Sequence, residues 1–502
     1  MRDRGLFRLL VLLSAAGVTA HCLILARYTV DDAFISFRYA RNLAAGNGLV
    51  FNPGERVEGY TNFLWTVLHA LWLRVGGEPE LLAKVLGIGS ALGSTVLIAA
   101  LGRLWAHPPT PLAAFGCIFW ASAGAVAITA VNGLETQMFT FMVTLGIYLY
   151  AGAGGSIRRL AAAVIALALS TLMRPDGWLA LAVTLAHYHG GHRRRASLMP
   201  LAVAAMVAGP HVLWRLAYYG SLVPNTFGAK TGGGLMQTIK GVEYVKNFVN
   251  EYGKAAFFFL AALPLLRWPL DRARSHALVM LAAFFAYVVA AGGDWIPHYR
   301  FLVPIMPLIA VALQDGLLTV RASLPRDHGA RWIIASAGVW VFIGVITFDI
   351  ANQTRYLKMH TDMWADGYRH AHRRVGSWLR DHAAPSETVA LMDIGIIGYV
   401  SGMRVIDITG LTDPHVAAAP GGWLKKEYSL DYLFGRAPEY FVLVSAADYP
   451  REAFGSSFPI DGAIFRDPRL LRDYRFLFSE DAYVSRRPHL SGYYLLVFKR
   501  KA

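Results

Sequence analysis

Residues 62–75 read NFLWTVLHALWLRV, and whether this stretch crosses a bilayer decides how the rest of the chain is threaded. It is apolar enough to be taken for a span. Yet it carries Trp65, His69, Trp72 and Arg74, which suit the headgroup region better than hydrocarbon. If it crosses, the later basic loops alternate sides badly; laid along the interface as an amphipathic helix, it lets the chain thread cleanly. The interfacial placement leaves about 11 spans, at 6–26, 81–102, 111–131, 136–153, 159–172, 177–188, 198–218, 255–268, 276–292, 301–319 and 331–350. The runs 159–172 and 177–188 are short for a hydrocarbon core about 30 Å thick, and Arg174-Pro175-Asp176-Gly177 interrupts them.

Composition agrees with lipid as the solvent. Of 502 residues, 55% are hydrophobic and only 16% charged, where a soluble chain carries roughly a quarter. The long apolar runs fill residues 1–350, and 351–502 reads as an ordinary soluble domain. The net charge of +15 sits largely in short Arg-rich loops, among them Arg158-Arg159, Arg193-Arg194-Arg195 and Arg272 to Arg274. With a cytoplasmic N-terminus these loops fall on the inner side, as the positive-inside rule expects, so the charge points to membrane topology and not to nucleic acid. Cys22 and Cys117 lie inside apolar runs and show no metal-ligand or disulfide pattern. The first run, Leu6 to Ala26, is longer than the core of a signal peptide and reads as an uncleaved first helix.

This threading puts the polar motifs on the extracytoplasmic side. They are Asp31-Asp32, Arg38-Tyr39-Ala40-Arg41 and Glu58-Gly59-Tyr60-Thr61-Asn62 in a first outer loop over 27–80. Asn132-Gly133-Leu134-Glu135, Arg174-Pro175-Asp176-Gly177, Pro224-Asn225 through Lys230, and Gly293-Asp294-Trp295 through His298 and Arg300 follow in later turns. Ionisable groups at a membrane boundary are costly unless paired or wet, so together they mark a site. An adjacent carboxylate pair supplies a general base, and Arg or Lys grips a phosphate. That is the inventory for attack on a sugar whose leaving group is a phosphate. Plainer readings stand beside it: Asp31-Asp32 as a solvated cap, Glu135 as a partner for a helix dipole, and Arg174 with Asp176 as a structural pair at a helix break.

The run Asp31-Asp32-Ala33-Phe34-Ile35-Ser36-Phe37-Arg38-Tyr39-Ala40-Arg41, followed by Glu58-Gly59-Tyr60-Thr61-Asn62-Phe63-Leu64-Trp65, resembles the GT-C superfamily of polyprenyl-phosphate-sugar-dependent glycosyltransferases. The likeness is nearest to the terminal arabinofuranosyltransferases of the actinobacterial cell wall and runs through most of the membrane domain. It implies a polytopic α-helical membrane fold with a C-terminal extracytoplasmic α/β domain, and a juxtamembrane helix around Tyr60–Arg74. It implies an inverting displacement in which the acidic pair carries the base, with Asp31 leading and Asp32 as its partner. Glu135 would bind acceptor or donor sugar, and Arg174, Lys230, His298 and Arg300 the donor phosphate. Arg38, Glu58, Tyr60, Asn62, Asp176, Asn225 and Asp294 complete the expected substrate-binding set. Some members use a divalent cation and others do not; Asp31 and Asp32 would hold one if it is used. The implied partners are a polyprenyl-phosphate-linked sugar donor, an envelope glycan or lipid acceptor, and the lipid of an inner (plasma) membrane. The sugar, arabinofuranose or another pentose or hexose, is left open.

In the C-terminal domain, 354–382 reads as a polar helix rich in Arg and His, facing solvent or an acidic polymer. Strand-like runs follow at Thr388–Met392, Arg404–Ile408, Tyr440–Val444, Tyr474–Phe478 and Tyr493–Lys499. Asp393, Gly395 and the stretch Asp407 to Asp413 lie at strand ends and read first as loops of a small fold, second as a sugar-binding edge. Two other functions fit parts of the pattern, a transporter or lipid flippase and a non-catalytic envelope assembly factor on a GT-C scaffold. Motifs at span ends on one side, in a chain with no visible repeat, favour the transferase.

Overall fold

The computed structural model describes residues 2–105, 111–191, 197–252, 270–296, 298–323, 354–448, 458–482 and 492–501, with single positions at 263, 337, 344, 348 and 352. Two compact units divide the chain. The first is Met1–Ala26, Ala83–His211 and Met236–Lys358; the second is Arg27–Leu82, Val212–Leu235 and Met359–Ala502.

The first unit is helical. Among the described residues, five helices are long and apolar enough to cross a membrane: Asp3–Leu25, Pro79–Trp105, Met199–Tyr219, Arg272–Ala291 and Val303–Ala322. A sixth crossing would be the pair Pro111–Ser122 and Gly124–Val131, bent by 54°. The bend falls at Ala123, which adopts an extended backbone between the two helices. The helices Thr136–Ala151, Ile157–Met173 and Gly177–Gly191 are shorter, with 16, 17 and 15 residues. At 1.5 Å per residue they reach only about 22–26 Å. The expected spans 255–268 and 331–350 lie outside the described residues but for single positions. Helix ends follow local chemistry: Asp271 caps Arg272–Ala291 by accepting from the Arg274 amide, and left-handed Gly292 closes it. Small residues set the packing distance. A Cβ on Gly116 would stand 3.0 Å from the Ala310 carbonyl oxygen, and one on Gly146 would stand 2.5 Å from Leu167.

The second unit is built on a five-stranded mixed sheet: β1 Thr388–Leu391, β2 Arg404–Asp407, β3 Tyr440–Ser445, β4 Tyr474–Asp481 and β5 Tyr494–Arg500. The order is β2-β1-β3-β5-β4, parallel across β2-β1-β3 and antiparallel across β3-β5-β4. All five strands fall where apolar, β-branched runs put them. The chain leaves β1 for β2 on one side and returns to β3 on the other. The carboxyl end of β1 is therefore the topological switch point, the place where open parallel sheets hold their ligands.

Compactness does not follow the consecutive division 1–350 and 351–502. Residues 27–82 and 212–235 join the C-terminal residues because they share one core: Ile35, Tyr39, Leu49, Phe51 and Tyr60 pack with Val389, Leu391, Val405, Phe441 and Val497. The first loop is also more ordered than expected, since Asp31–Ala44 is a helix. The 62–75 stretch contains the helix Phe63–Arg74, 12 residues long. It is about 18 Å in length and too short to span hydrocarbon. Its inner side, Trp65, Thr66, His69 and Ala70, is buried, and His69 meets Phe37 at 5.0 Å between ring centroids.

Candidate active site

Asp31 opens the helix Asp31–Ala44 but does not cap it; the N-cap is Val30, with no side-chain bond. Its carboxylate instead accepts from two backbone amides at the start of another helix, Gly395 N at 3.1 Å and Ile396 N at 2.7 Å. These amides lie just past the end of β1. Gly395 is required by the approach: a Cβ there would stand 2.0 Å from the Asp31 carbonyl oxygen and 2.6 Å from its Oδ2.

Three side chains of the C-terminal segment complete the cluster. The buried His372 ring shares a hydrogen bond of 2.9 Å between its Nε2 and Asp393 Oδ2, and the Tyr493 hydroxyl donates to the same oxygen at 2.7 Å. His372 enters this network from a π-helical turn, Tyr368–His372, within an otherwise α-helical run. Such one-turn irregularities are frequent at functional sites because they re-aim a side chain. Tyr368 stands edge-on to His372 at 5.0 Å, and Trp364 stands edge-on to Tyr493 at 6.2 Å.

Electrostatics follow from this crowding. Burial, and next the like charge of Asp393, push the Asp31 carboxyl up to about 7; His372, the Ile396 amide and, with opposite sign, Asp32 are smaller influences. Burial alone would lower His372, but its bond to Asp393 and the charges of Asp393 and Asp31 outweigh that and raise it. One imidazolium cannot neutralise two carboxylates. Asp393 takes the cation, and Asp31 is the acid left to hold a proton near neutrality. A third carboxyl, Asp461, is fully buried and accepts from the Val444 amide at 2.9 Å; burial pushes it up to about 7.

Several residues expected to bind substrate are placed otherwise. Arg38 is buried and donates to the carbonyls of Phe51, Gly398 and Met403 and to Asn52 Oδ1, at 2.6–3.0 Å. It ties the first helix of the loop to the sheet domain, and these bonds take up four of its five donors, where a substrate-binding role was expected. Glu58 pairs with Arg215 at 2.9 Å, and Tyr60 accepts from Tyr219 at 3.3 Å. Asn62 Oδ1 accepts from Ser36 and Thr66, and Asn225 donates to the carbonyls of Gly410 and Leu411. These contacts stitch loops together. Lys230 lies with its Nζ 5.1 Å from the Trp423 ring centroid, and Asp32, beside Asp31, is partly exposed.

Within the first unit, five of the expected residues gather. Arg174 pairs with Asp176 at 2.9 Å and Glu135 at 3.3 Å, and Arg300 pairs with Asp294 at 2.6 Å. Both guanidinium groups face the ring of Phe301, at 5.2 and 5.5 Å. His298 and Tyr299 beside them have left-handed backbones, φ 72° and 57°, a conformation that strains non-glycine residues.

Sequence reasoning missed His372 as an inner residue, taking the His- and Arg-rich helix as solvent-facing. His370 and His382 are exposed, but His372 is not. A signal existed: Tyr368, His372, Val375 and Leu379 recur at helical spacing on one side. Asp407 and Asp413, by contrast, are loop-forming. Asp407 accepts from the amides of Thr409, Gly410 and Thr412, and Asp413 caps the helix Pro414–Ala418. Among the described residues no group of three or more His, Cys, Asp or Glu side chains is placed to hold a metal ion. Asp31 is turned to backbone amides and His372 to Asp393, so the residues present do not form a cation cage.

A family model described as a domain of unknown function (DUF8728) matches residues 360–493. Two terminal β-(1→2)-arabinofuranosyltransferases are similar in sequence. The one from Mycobacterium tuberculosis is 29% identical over 363 residues, 63% of this chain and 57% of its own length. The one from Corynebacterium glutamicum is 28% identical over 397 residues, 68% of this chain and 55% of its own length. The chain thus spans a little over half the length of these relatives. Among solved structures, ArnT from Cupriavidus metallidurans bound to undecaprenyl phosphate superposes with a TM-score of 0.59 at 12% identity, covering 97% of each chain. In fold, then, the chain is similar to ArnT, and in sequence it is similar to the terminal arabinofuranosyltransferases.

Proposed function

We propose that this protein is a membrane glycosyltransferase that moves a sugar from a polyprenyl-phosphate donor to a hydroxyl of a cell-envelope glycan or lipid, on the extracytoplasmic face, with inversion. The observation that carries the reading is Asp31, a carboxyl held by two amides and poised near neutrality by its burial and, next, by the like charge of Asp393. A general base works best when its proton affinity lies near the working pH. The structural relative bound to undecaprenyl phosphate supports a donor of that class, and the arabinofuranosyltransferase relatives support a sugar substrate.

In this reading Asp31 takes the proton of the acceptor hydroxyl as its oxygen bonds to the anomeric carbon. The bond from that carbon to the phosphate oxygen breaks on the opposite face, and the polyprenyl phosphate leaves with the electron pair. Asp393 favours the protonated form of His372 and keeps Asp31 from ionising too easily, while the Gly395 and Ile396 amides fix the Asp31 carboxyl against the sheet end. Asp32 and Lys230 serve the substrate as partners, Lys230 offsetting phosphate charge.

The test is a membrane-based transfer assay with a panel of radiolabelled polyprenyl-phosphate sugars. Transfer from one donor, with inverted product, is the expected result. No transfer from any donor, together with movement of labelled lipid between leaflets, would replace this reading with a flippase.

A further inference from the structure

A concave site lies in the second unit, on the exposed side of the helical run that supplies His372. A cavity of about 560 Å³ is lined by Arg369, Arg373, Arg374, Trp378, Phe478 and Glu480. Its volume is in the range of ligand sites. The floor is rigid. Trp378 stacks on His382 at 4.4 Å and 10° and meets the edge of Phe478 at 4.9 Å. Arg373 is anchored by Glu80 and lies over Phe34 at 5.2 Å. Arg374 touches Glu480 at 3.1 Å, yet its side chain stays 65% exposed, and Arg369 is exposed.

Three guanidinium groups outnumber the two carboxylates they meet, Glu80 and Glu480, which favours an anion, and a guanidinium fork fits carboxylate or phosphate in bidentate fashion. The aromatic wall suits the C–H face of a sugar ring, and Glu480 can accept from hydroxyls. A flat anionic bilayer would gain nothing from a concave wall that contains a carboxylate. We propose that this groove binds an acidic glycan segment, one bearing carboxylate or phosphate groups. The choice of a glycan rests on the glycosyltransferase reading above, where the acceptor is a polymer extending beyond the reacting sugar; charge and ring chemistry do not depend on it.

The experiment uses the full-length protein in nanodiscs of zwitterionic phosphatidylcholine, titrated with oligogalacturonate while tryptophan fluorescence is followed. Neutral galactan oligomers serve as the control. Oligogalacturonate should bind and the galactan bind more weakly, and the R369A/R374A double variant should weaken oligogalacturonate by about tenfold or more. Both arginines are exposed, so the variant keeps its fold, which an unchanged melting temperature verifies. Trp378→Leu should bind more weakly and lose the fluorescence response. Equal oligogalacturonate binding by wild type and R369A/R374A overturns the proposal. So does equal binding of galactan, or binding of phosphatidylglycerol vesicles through these arginines with no response to the acidic sugar. Because this readout is binding and not transfer, a wild type that binds but transfers nothing would sink the enzymatic reading alone. A wild type that transfers but whose arginine variant binds unchanged would sink the groove alone.

Discussion

Two clusters, one in each unit, handle buried charge in opposite ways. In the first, each arginine meets carboxylates directly: Arg174 between Glu135 and Asp176, Arg300 on Asp294. In the second, the carboxyls of Asp31 and Asp393 lean on a single histidine, and Asp31 is otherwise held by amide dipoles. Opposite charges at contact offset one another. Like charges sharing one cation leave a proton weakly assigned, which is the condition for a base that takes and returns protons near neutrality. Buried charge alone therefore does not locate the chemistry. The sign of the neighbours does.

The largest expected effect separates the two carboxyls of the adjacent pair. Asp31→Asn should cut sugar transfer by about a hundredfold to ten-thousandfold, the usual worth of a general base. Asp32→Asn should cost far less in the same membrane assay. Equal retention of turnover in both variants would break the assignment. Next, Arg174→Met should behave as a structural lesion, because it strands two buried carboxylates. A destabilisation of about 3–5 kcal/mol is expected from the thermal melt of the solubilised protein. Adding Glu135→Gln and Asp176→Asn should restore much of it; failure to do so would mean that the arginine does more than balance charge.

Gly395→Ala comes third. The new methyl would collide with Asp31, and a shift that relieves it costs about 1–3 kcal/mol. Transfer should fall more than stability does, since the displaced group is the base. The smallest effect is the most diagnostic. Transfer should rise with pH through about 7 as Asp31 loses its proton. Asp393→Asn removes the like charge that holds that proton, so the acid limb of the pH profile should move to lower pH. A limb that stays in place would detach Asp393 from Asp31. The same raised acidity has a sign for stability: a carboxyl whose folded value is raised contributes stability below its unfolded value, and the contribution is lost as pH rises through about 7.

Local pattern made much of this legible. All five strands lie where alternation and β-branched residues put them, and 62–75 declared itself by Trp65, His69 and Arg74. Asp31 stood out because two carboxylates directly after an apolar run are hard to explain as packing. The partners were harder. Asp393 and His372 are 21 residues apart, and the amides that hold Asp31 are 364 and 365 residues away. Such pairings are set by sheet topology, which places the end of β1 at the switch point, and a sequence pattern carries no distance of that kind. Arg38 was illegible for a related reason: in sequence it belongs with the expected substrate-binding residues, and only its four carbonyl and amide acceptors reveal a tie between segments.

The long reach from Asp31 to Gly395 also governs when the protein can act. The carboxylate leaves the ribosome well before its two amides, which follow 364 and 365 positions later. At 5–20 residues per second the interval is roughly 20 to 70 s. Through that time the chain carries its base without the cradle that orients it. In the proposed mechanism a copy truncated before 395 lacks that cradle and should be inert toward lipid-linked sugars.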